Sequence, residues 1–331
     1  MIAPRRHALA LLPAVAVLAG CDKQQNALAP ESHQAKSIAS LFWWMMGGSW
    51  IGLGLIVALL VLAWKRRNRR GIGSDTEGDK PGEKFAWRVV IGLGIVTPIV
   101  VIGVIFVIAN LFVIKTTEAP AADSTRLTVR VIGHMWWWEV RYPGHPAVTA
   151  NELHIPVRVP VRLEVQTKDV IHSFWVPRLN RTIDAIPGRT NAIELYADTA
   201  GRYRGQCDEF CGLQHAHMAF YVYADPPSVF RRWLAQQSKP VSSPPPKLFT
   251  TAGCADCHAL RGTSAKADVG PDLTHVGSRS TLAALTIRNT PAELEDWILH
   301  NQAIKPGNQM PDITISPAQA HELAVYLEGL K

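Results

Sequence analysis

The sequence predicts a multidomain chain: a two-helix transmembrane hairpin, then a β-sandwich or barrel, then a small all-α domain. Three observations carry this. Two apolar segments, 41–64 and 89–114, contain no charged residue, and each exceeds the about 20 residues needed to cross a bilayer core. Between residues 126 and 223, short runs alternate apolar and polar residues and are broken by turn signals such as Pro143-Gly144 and Pro187-Gly188, the pattern of half-buried strands. After a Pro- and Ser-rich stretch at 238–247, Thr290-Pro291-Ala292-Glu293 and Ser316-Pro317 each open a helix with a capping residue followed by proline.

Upstream of the first span, Arg5 and Arg6 precede an apolar stretch from Ala8 to Ala19, which ends in Leu18-Ala19-Gly20-Cys21. The stretch is too short to span. It resembles a bacterial lipoprotein signal, so residues 1–20 are expected to be removed and Cys21 lipidated, at the head of an external tail over 21–40. The loop 65–88 carries Lys65, Arg66, Arg67, Arg69, Arg70, Lys80, Lys84 and Arg88 against four acids, and short basic loops stay in the cytoplasm. Signal and loop agree on a hairpin over 41–114, multi-pass in a bacterial inner membrane, with everything after Lys115 in the periplasm or extracytoplasmic space. Trp43, Trp44, Trp50, Trp64 and Trp87 lie near the span ends, where indole rings favour the interface. Almost all of the net charge of +7 belongs to the first 114 residues, because residues 115–331 carry 22 Lys and Arg against 21 Asp and Glu. That balance excludes a nucleic-acid partner.

The strand signals place an antiparallel β-sandwich or barrel over 122–225, with alternation clearest at 127–132, 157–165 and 192–196. Residues 226–246 read as a short helix and a semi-rigid linker, and 247–331 as the helical domain.

Within that domain stands Cys254-Ala255-Asp256-Cys257-His258, the pattern for covalent haem c: two thiols for thioethers and an adjacent imidazole for iron. A thioredoxin-like pair would want a βαβ setting, and zinc would want two further ligands. Met310, in Lys305-Pro306-Gly307-Asn308-Gln309-Met310-Pro311, is the only methionine after residue 218. It is the candidate sixth ligand, a thioether that raises the potential; His275, His300 and His321 are the alternatives.

A second cluster is Cys207-Asp208-Glu209-Phe210-Cys211-Gly212-Leu213-Gln214-His215-Ala216-His217-Met218. Two thiolates, an imidazole and a thioether on one loop are soft ligands of the kind copper prefers. Zinc held by Cys207, Cys211, His215 and a further histidine is the rival, and leaves Met218 unexplained. With the distant His172 added, the set suits two coppers bridged by both sulfurs.

At these residues, and from Leu41 to about Trp233, the chain resembles subunit II of cytochrome c oxidase. The resemblance implies a cupredoxin-like β-sandwich with a binuclear CuA centre: Cys207 and Cys211 bridging, His172 and His215 as imidazole ligands, Met218 on one copper and the Glu209 carbonyl on the other. It also implies a Mg2+ or Mn2+ ion touched by the Glu209 side chain at the subunit I interface, near Asp184-Ala185-Ile186-Pro187-Gly188-Arg189. Gly133-His134-Met135-Trp136-Trp137-Trp138-Glu139 is similar to the family's aromatic segment where electrons arrive, with Trp136 and Trp138 as the candidates and Trp137 where tyrosine is usual. Strand alternation puts Trp136 and Trp138 on one face. Asp208 and His217 depart from the family pattern without altering ligand spacing. Glu83 lies close to a family glutamate at the mouth of a proton channel. With the C-terminal domain, which resembles a class I cytochrome c, the whole chain is similar to caa-type oxidases.

The resemblance implies electrons received at haem c, from cytochrome c or another periplasmic donor. They pass through CuA to a haem of subunit I, where oxygen is reduced with proton pumping, and subunit III is a further partner. A CuA-containing nitric oxide reductase is the alternative. A quinol oxidase subunit would lack Cys207, Cys211 and Met218. A zinc-stabilised chaperone fused to a cytochrome would need no membrane partner.

Overall fold

The computed structural model describes residues 23–70, 81–121 and 127–331. The signal segment 1–20, Cys21 and the side chain of Glu83 lie outside what is described. The chain divides into a helical unit, Lys36–Thr117, and a second unit that gathers the remaining described residues.

Helix α1 (His33–Arg70) is 38 residues long. It begins well before the apolar segment because Ser32 caps it, its hydroxyl accepting from the Ala35 N–H at 3.0 Å. The second apolar rod runs through α2 (Pro81–Ile91), a π-helical turn at Gly92–Val96, α3 (Thr97–Ile108) and a second π turn at Ala109–Ile114. Both rods contain 34 residues of membrane-compatible helix, ample for a core of about 30 Å at about 1.5 Å per residue. Their apolar side chains, Ile51, Leu60, Ile99, Ile102 and Phe106 among them, face outward and are exposed. That is the surface of a lipid-facing helix, since a soluble core helix would bury them.

The sandwich consists of β1 (Thr128–His134), β2 (Trp137–Arg141), β3 (Val148–Ala150), β4 (Glu152–Pro156), β5 (Val161–Thr167), β6 (His172–Trp175), β7 (Ile183–Ala185), β8 (Asn191–Leu195), β9 (Gly201–Cys207) and β10 (Ala219–Asp225). One sheet has the order β3-β2-β1-β5-β8 and the other β4-β10-β9-β6-β7. The sheets are mixed rather than antiparallel: β1 runs parallel to β5 and β10 parallel to β4. A period of two is the same in either orientation, so the pattern does not distinguish them. Alternation is clean in β5, where Val161, Leu163 and Val165 are fully buried between the outward Arg162 and Glu164. In the core, Trp138 meets Phe174, Phe220 and His172 edge-on at 5.7–5.8 Å, contacts worth about 0.5–1.5 kcal/mol each for the aromatic pairs beyond their area.

Helix α4 (Pro227–Gln237) covers the sandwich with Phe230 and Leu234, and Trp233 stacks on His154 at 3.9 Å. The following Pro/Ser stretch is not a free tether. The Val241 N–H donates to the Arg261 carbonyl at 2.9 Å, Tyr326 Oη donates to the Ser243 carbonyl at 3.1 Å, and a Cβ on Gly262 would fall 2.6 Å from Pro240. The stretch lies flat on the C-terminal domain.

That domain holds α5 (Lys247–Thr251), a two-residue-per-strand hairpin of β11 (Thr281–Leu282) and β12 (Ile287–Arg288), α6 (Pro291–Ile304) and α7 (Pro317–Glu328). Thr290 caps α6 by accepting from the Glu293 N–H, and Ser316 with Gln319 forms a reciprocal capping box on α7. Phe249, Leu260, Leu294, Ile298, Leu323 and Leu327 make its separate core.

Candidate functional site

The strand layout explains how residues far apart in sequence meet. Cys207 ends β9, and β9 pairs with β6 in a register that sets Phe174 opposite Cys207. His172, two residues back on β6, therefore points at the same sulfur: its Nδ1 lies 3.9 Å from Cys207 Sγ. The loop from β9 to β10 then returns Cys211 Sγ to 3.8 Å from Cys207 Sγ. At that distance the two are not disulfide-bonded, because an S–S bond is about 2.05 Å. His215 Nδ1 is 3.6 Å from Cys211 Sγ, Met218 Sδ is 3.8 Å from it, and the Glu209 carbonyl is 3.2 Å from Cys207 Sγ. Six donor atoms, one from each of the residues named as candidate ligands, lie close together here.

The surroundings hold these donors in place. Asp169 Oδ1 takes His172 Nε2 at 2.8 Å, which leaves Nδ1 for the sulfurs, the usual outer-shell control of a ligating imidazole. Burial alone would lower His172, but the bonds to Asp169 and Cys207 overcome it and the net shift is upward. Burial would likewise raise Asp169, and its bonds to His172 and to the Met135 and Val170 N–H groups pull it down instead. Hydrogen bonding from Cys211 holds the Cys207 thiol down to about 4, while the same bond and burial push Cys211 up. Gly133 leaves room for the imidazole, since a Cβ there would lie 2.7 Å from His172 Cδ2. Gly212, at φ +112, turns the loop under the Trp136 ring.

The donor chemistry fits two copper ions better than one zinc. A single tetrahedral centre keeps all its donors close together. Here His172, Cys207 and Cys211 lie within 4.8 Å of one another while His215 stands outside that group. The thioether and the carbonyl complete a set too large and too soft for structural zinc.

The C-terminal domain encloses a cavity of about 550 Å³ lined by Cys254, Cys257, His258 and Met310 together with Leu294 and Ile298. His258 Nδ1 donates to the Pro271 carbonyl at 2.8 Å, so Nε2 is the nitrogen left to bind a metal. Burial lowers the His258 pKa, which favours the neutral imidazole a ligand must be. The cavity has the apolar lining, the paired thiols and the axial donor that haem c requires. Of the alternative histidines, both His275 nitrogens face backbone carbonyls, at 3.1 and 3.0 Å. His321 pairs with Glu295 at the surface, and neither these two nor His300 lines the cavity.

Three features escape sequence reading. The loop carrying Met310 is bound by Gln302, whose Nε2 donates to the Asn308 and Met310 carbonyls at 2.9 Å, and by Asn308, which donates to Asn301 Oδ1 at 2.9 Å. Lys305, buried among carbonyls, is the second. The third is the closeness of the two centres: Met135, Trp136 and Trp137 line the same C-terminal cavity, and Trp136 Nε1 donates to the Cys211 carbonyl at 2.9 Å. Trp136 lies in the turn between β1 and β2 rather than on either strand, so strand alternation does not pair it with Trp138; Trp138 is fully buried behind His172, and of these two Trp136 alone lines the cavity.

A copper-type cupredoxin domain, a haem-type domain and two lipid-facing helices define a membrane-anchored electron-transfer subunit with an external domain. Residues 147–224 match the family described as cytochrome c oxidase subunit II, periplasmic domain, and residues 246–331 match cytochrome c. The cytochrome c oxidase subunit 2 of Alkalihalophilus pseudofirmus is 31% identical over 329 residues, covering 95% of this chain and 94% of that protein. The one from Bacillus subtilis is 27% identical, covering 83% of each. The chain belongs to the cytochrome c oxidase subunit 2 family. It is thus an electron-accepting oxidoreductase subunit that works beside other oxidase subunits, and its two domains imply CuA copper and haem c. The nitric oxide reductase alternative is not favoured by these relatives.

Proposed function

We infer that the chain takes electrons from a periplasmic donor such as cytochrome c onto its C-terminal domain and delivers them through the sandwich to subunit I. His258 and Met310 would hold the iron of a haem bound through Cys254 and Cys257. His172, Cys207, Glu209, Cys211, His215 and Met218 would hold two coppers. Bound there, the two groups supply one-electron carriers whose potentials the ligands and burial set. The protein's own part is positional. Asp169 orients His172, Pro271 orients His258, and Trp136 spans from the cavity wall to the Cys211 carbonyl.

That span is the observation that carries the reading: one indole touches the C-terminal cavity and hydrogen-bonds the loop of the metal-binding cysteines. Trp138 is assigned to the inner wall behind His172. The exposed Glu209 side chain, which belongs to a loop whose Phe210 is 77% exposed, is assigned to a Mg2+ or Mn2+ ion shared with subunit I. Subunit III, inner-membrane insertion by both helices, lipidation at Cys21 and a proton-uptake role for Glu83 complete the proposal by family likeness. Metal and haem analysis of the purified complex tests its base: two coppers and one haem c per chain are expected, and zinc in the untreated protein would refute it.

A further inference from the structure

We propose that Lys305 is a latch that seats the C-terminal domain on the sandwich, its ammonium shared among three backbone carbonyls drawn from both domains. Lys305 belongs to the C-terminal domain, in the loop between α6 and Met310, and it is only 2% exposed. Its Nζ donates to the carbonyls of Trp136, His217 and Ala283, each at 2.9 Å. An ammonium has three N–H donors, and each has an acceptor. No carboxylate pairs with it among the described residues. Two of the acceptors belong to the sandwich, so the full set exists only when the domains are seated.

This arrangement reads position more than it supplies affinity. A buried ammonium is costly unless every proton is bonded, and burial pushes Lys305 down to about 7. A domain rotated or shifted on the same surface would leave the cation in a dry interface without partners, so wrong seatings are rejected. The third acceptor is held at some expense. Ala283, Ala284 and Leu285 follow one another at φ 52, 59 and 67, a left-handed run that non-glycine residues resist, and its first carbonyl serves the lysine. The flanking bonds agree in direction: Gln214 Nε2 donates to the Pro306 carbonyl at 2.8 Å, and at the far side the Ser280 N–H and hydroxyl both donate to Glu152 at 2.7 and 2.6 Å.

Lys305 is therefore a positioning residue. It grips the carbonyl of Trp136, the residue whose indole bonds to Cys211, and it lies five residues before the candidate axial Met310. The latch rests on the electron route above for its consequence and not for its test.

The test uses the complete oxidase carrying Lys305→Met, which keeps the stem and removes the donors. Hydrogen exchange at the amides of 134–138 and 214–218 should quicken at least tenfold. Haem c to CuA transfer should slow at least tenfold and become sensitive to added glycerol, because domain motion now precedes it. Haem content, copper content and both optical spectra should stay as in the native complex. Faster exchange with an unchanged transfer rate would uphold the latch and overturn the electron route. Unchanged exchange in a fully loaded Lys305→Met complex would overturn the latch. Should that variant fail to load haem or copper, Lys305→Arg decides: its planar fork cannot place three donors on one point, so exchange should quicken severalfold, and native protection would overturn the proposal.

Discussion

Replacing Gly270 by alanine tests whether His258 is held as an axial ligand. A Cβ at residue 270 would lie 2.5 Å from His258 Cε1 and 2.8 Å from Nδ1, whereas ordinary contact begins near 3.4 Å. The imidazole must retreat by about 0.9 Å, the difference between those contacts. The backbone cannot give way instead, because the Gly270 N–H donates to the Cys257 carbonyl at 2.8 Å, beside the thiol that would carry the haem. Retreat breaks the bond from His258 to the Pro271 carbonyl, worth about 0.5–1.5 kcal/mol, and overpacking adds about 1–3 kcal/mol. The C-terminal domain should lose about 1.5–4.5 kcal/mol, a fall in Tm of roughly 6–36 °C for a domain of this size. Haem should remain attached on a denaturing gel while its potential and absorption shift. Thermal melts followed at the haem band and a redox titration measure both effects. A native potential with a native melting temperature would show that His258 is not held against Gly270 and Pro271 as described, and that the axial position is filled otherwise.

Cys207→Ser or Cys211→Ser should abolish the mixed-valence copper absorption and oxygen consumption yet leave haem c in place, because the two hydrophobic cores are separate; metal analysis and haem staining of the same sample check this. Met310→Leu should keep the covalent haem and lower its potential, since a thioether favours the ferrous state; an unchanged redox titration would assign the sixth position to another residue. Trp136→Ala should slow haem c to CuA transfer by well over tenfold, while Trp136→Phe, which keeps an aromatic ring but loses the bond to the Cys211 carbonyl and part of the indole packed by Gly212 and Gly307, should slow it severalfold. Flash-initiated kinetics that match the native rate in both variants would make Trp136 packing alone.

Much of this molecule was legible in its sequence, for identifiable reasons. Charge-free runs, the Cys254–His258 motif and the donors from Cys207 to Met218 depend on near neighbours along the chain, which a sequence displays directly. No spacing along the chain ties the distant His172 to the cysteine loop; the β6–β9 register that brings it to Cys207 is a tertiary fact. Parallel pairing of β1 with β5 was invisible because both pairings share one alternation. The stretch 238–247 has a spacer's composition, yet Tyr326, Arg261 and the bare Cα of Gly262 hold it down, and those partners lie up to 83 residues away. Lys305 gave no signal at all. Its neighbours in the chain are ordinary loop residues, and its three acceptors are backbone carbonyls, which no side-chain pattern reports.

The same placement decides how the two domains work as one. A loose tether would raise the local concentration of the haem domain to roughly millimolar but leave each transfer to wait for a productive encounter. Here α4 packs on the sandwich, the following stretch lies on the C-terminal domain, and the contacts between them are directional: Lys305 to two sandwich carbonyls, Gln214 to Pro306, Ser280 to Glu152, and Arg261 Nη1 to the Pro146 carbonyl at 2.6 Å. Directional bonds fix orientation with little apolar burial. One of them, from Lys305, grips the carbonyl of Trp136, whose ring faces the cavity on one side and the cysteine loop on the other. Preorganisation of this kind removes the orientational search before each electron moves. The polar rim and the aromatic centre thus have different tasks: the rim sets where the domains sit, and Trp136 sets what lies between their centres once they are seated.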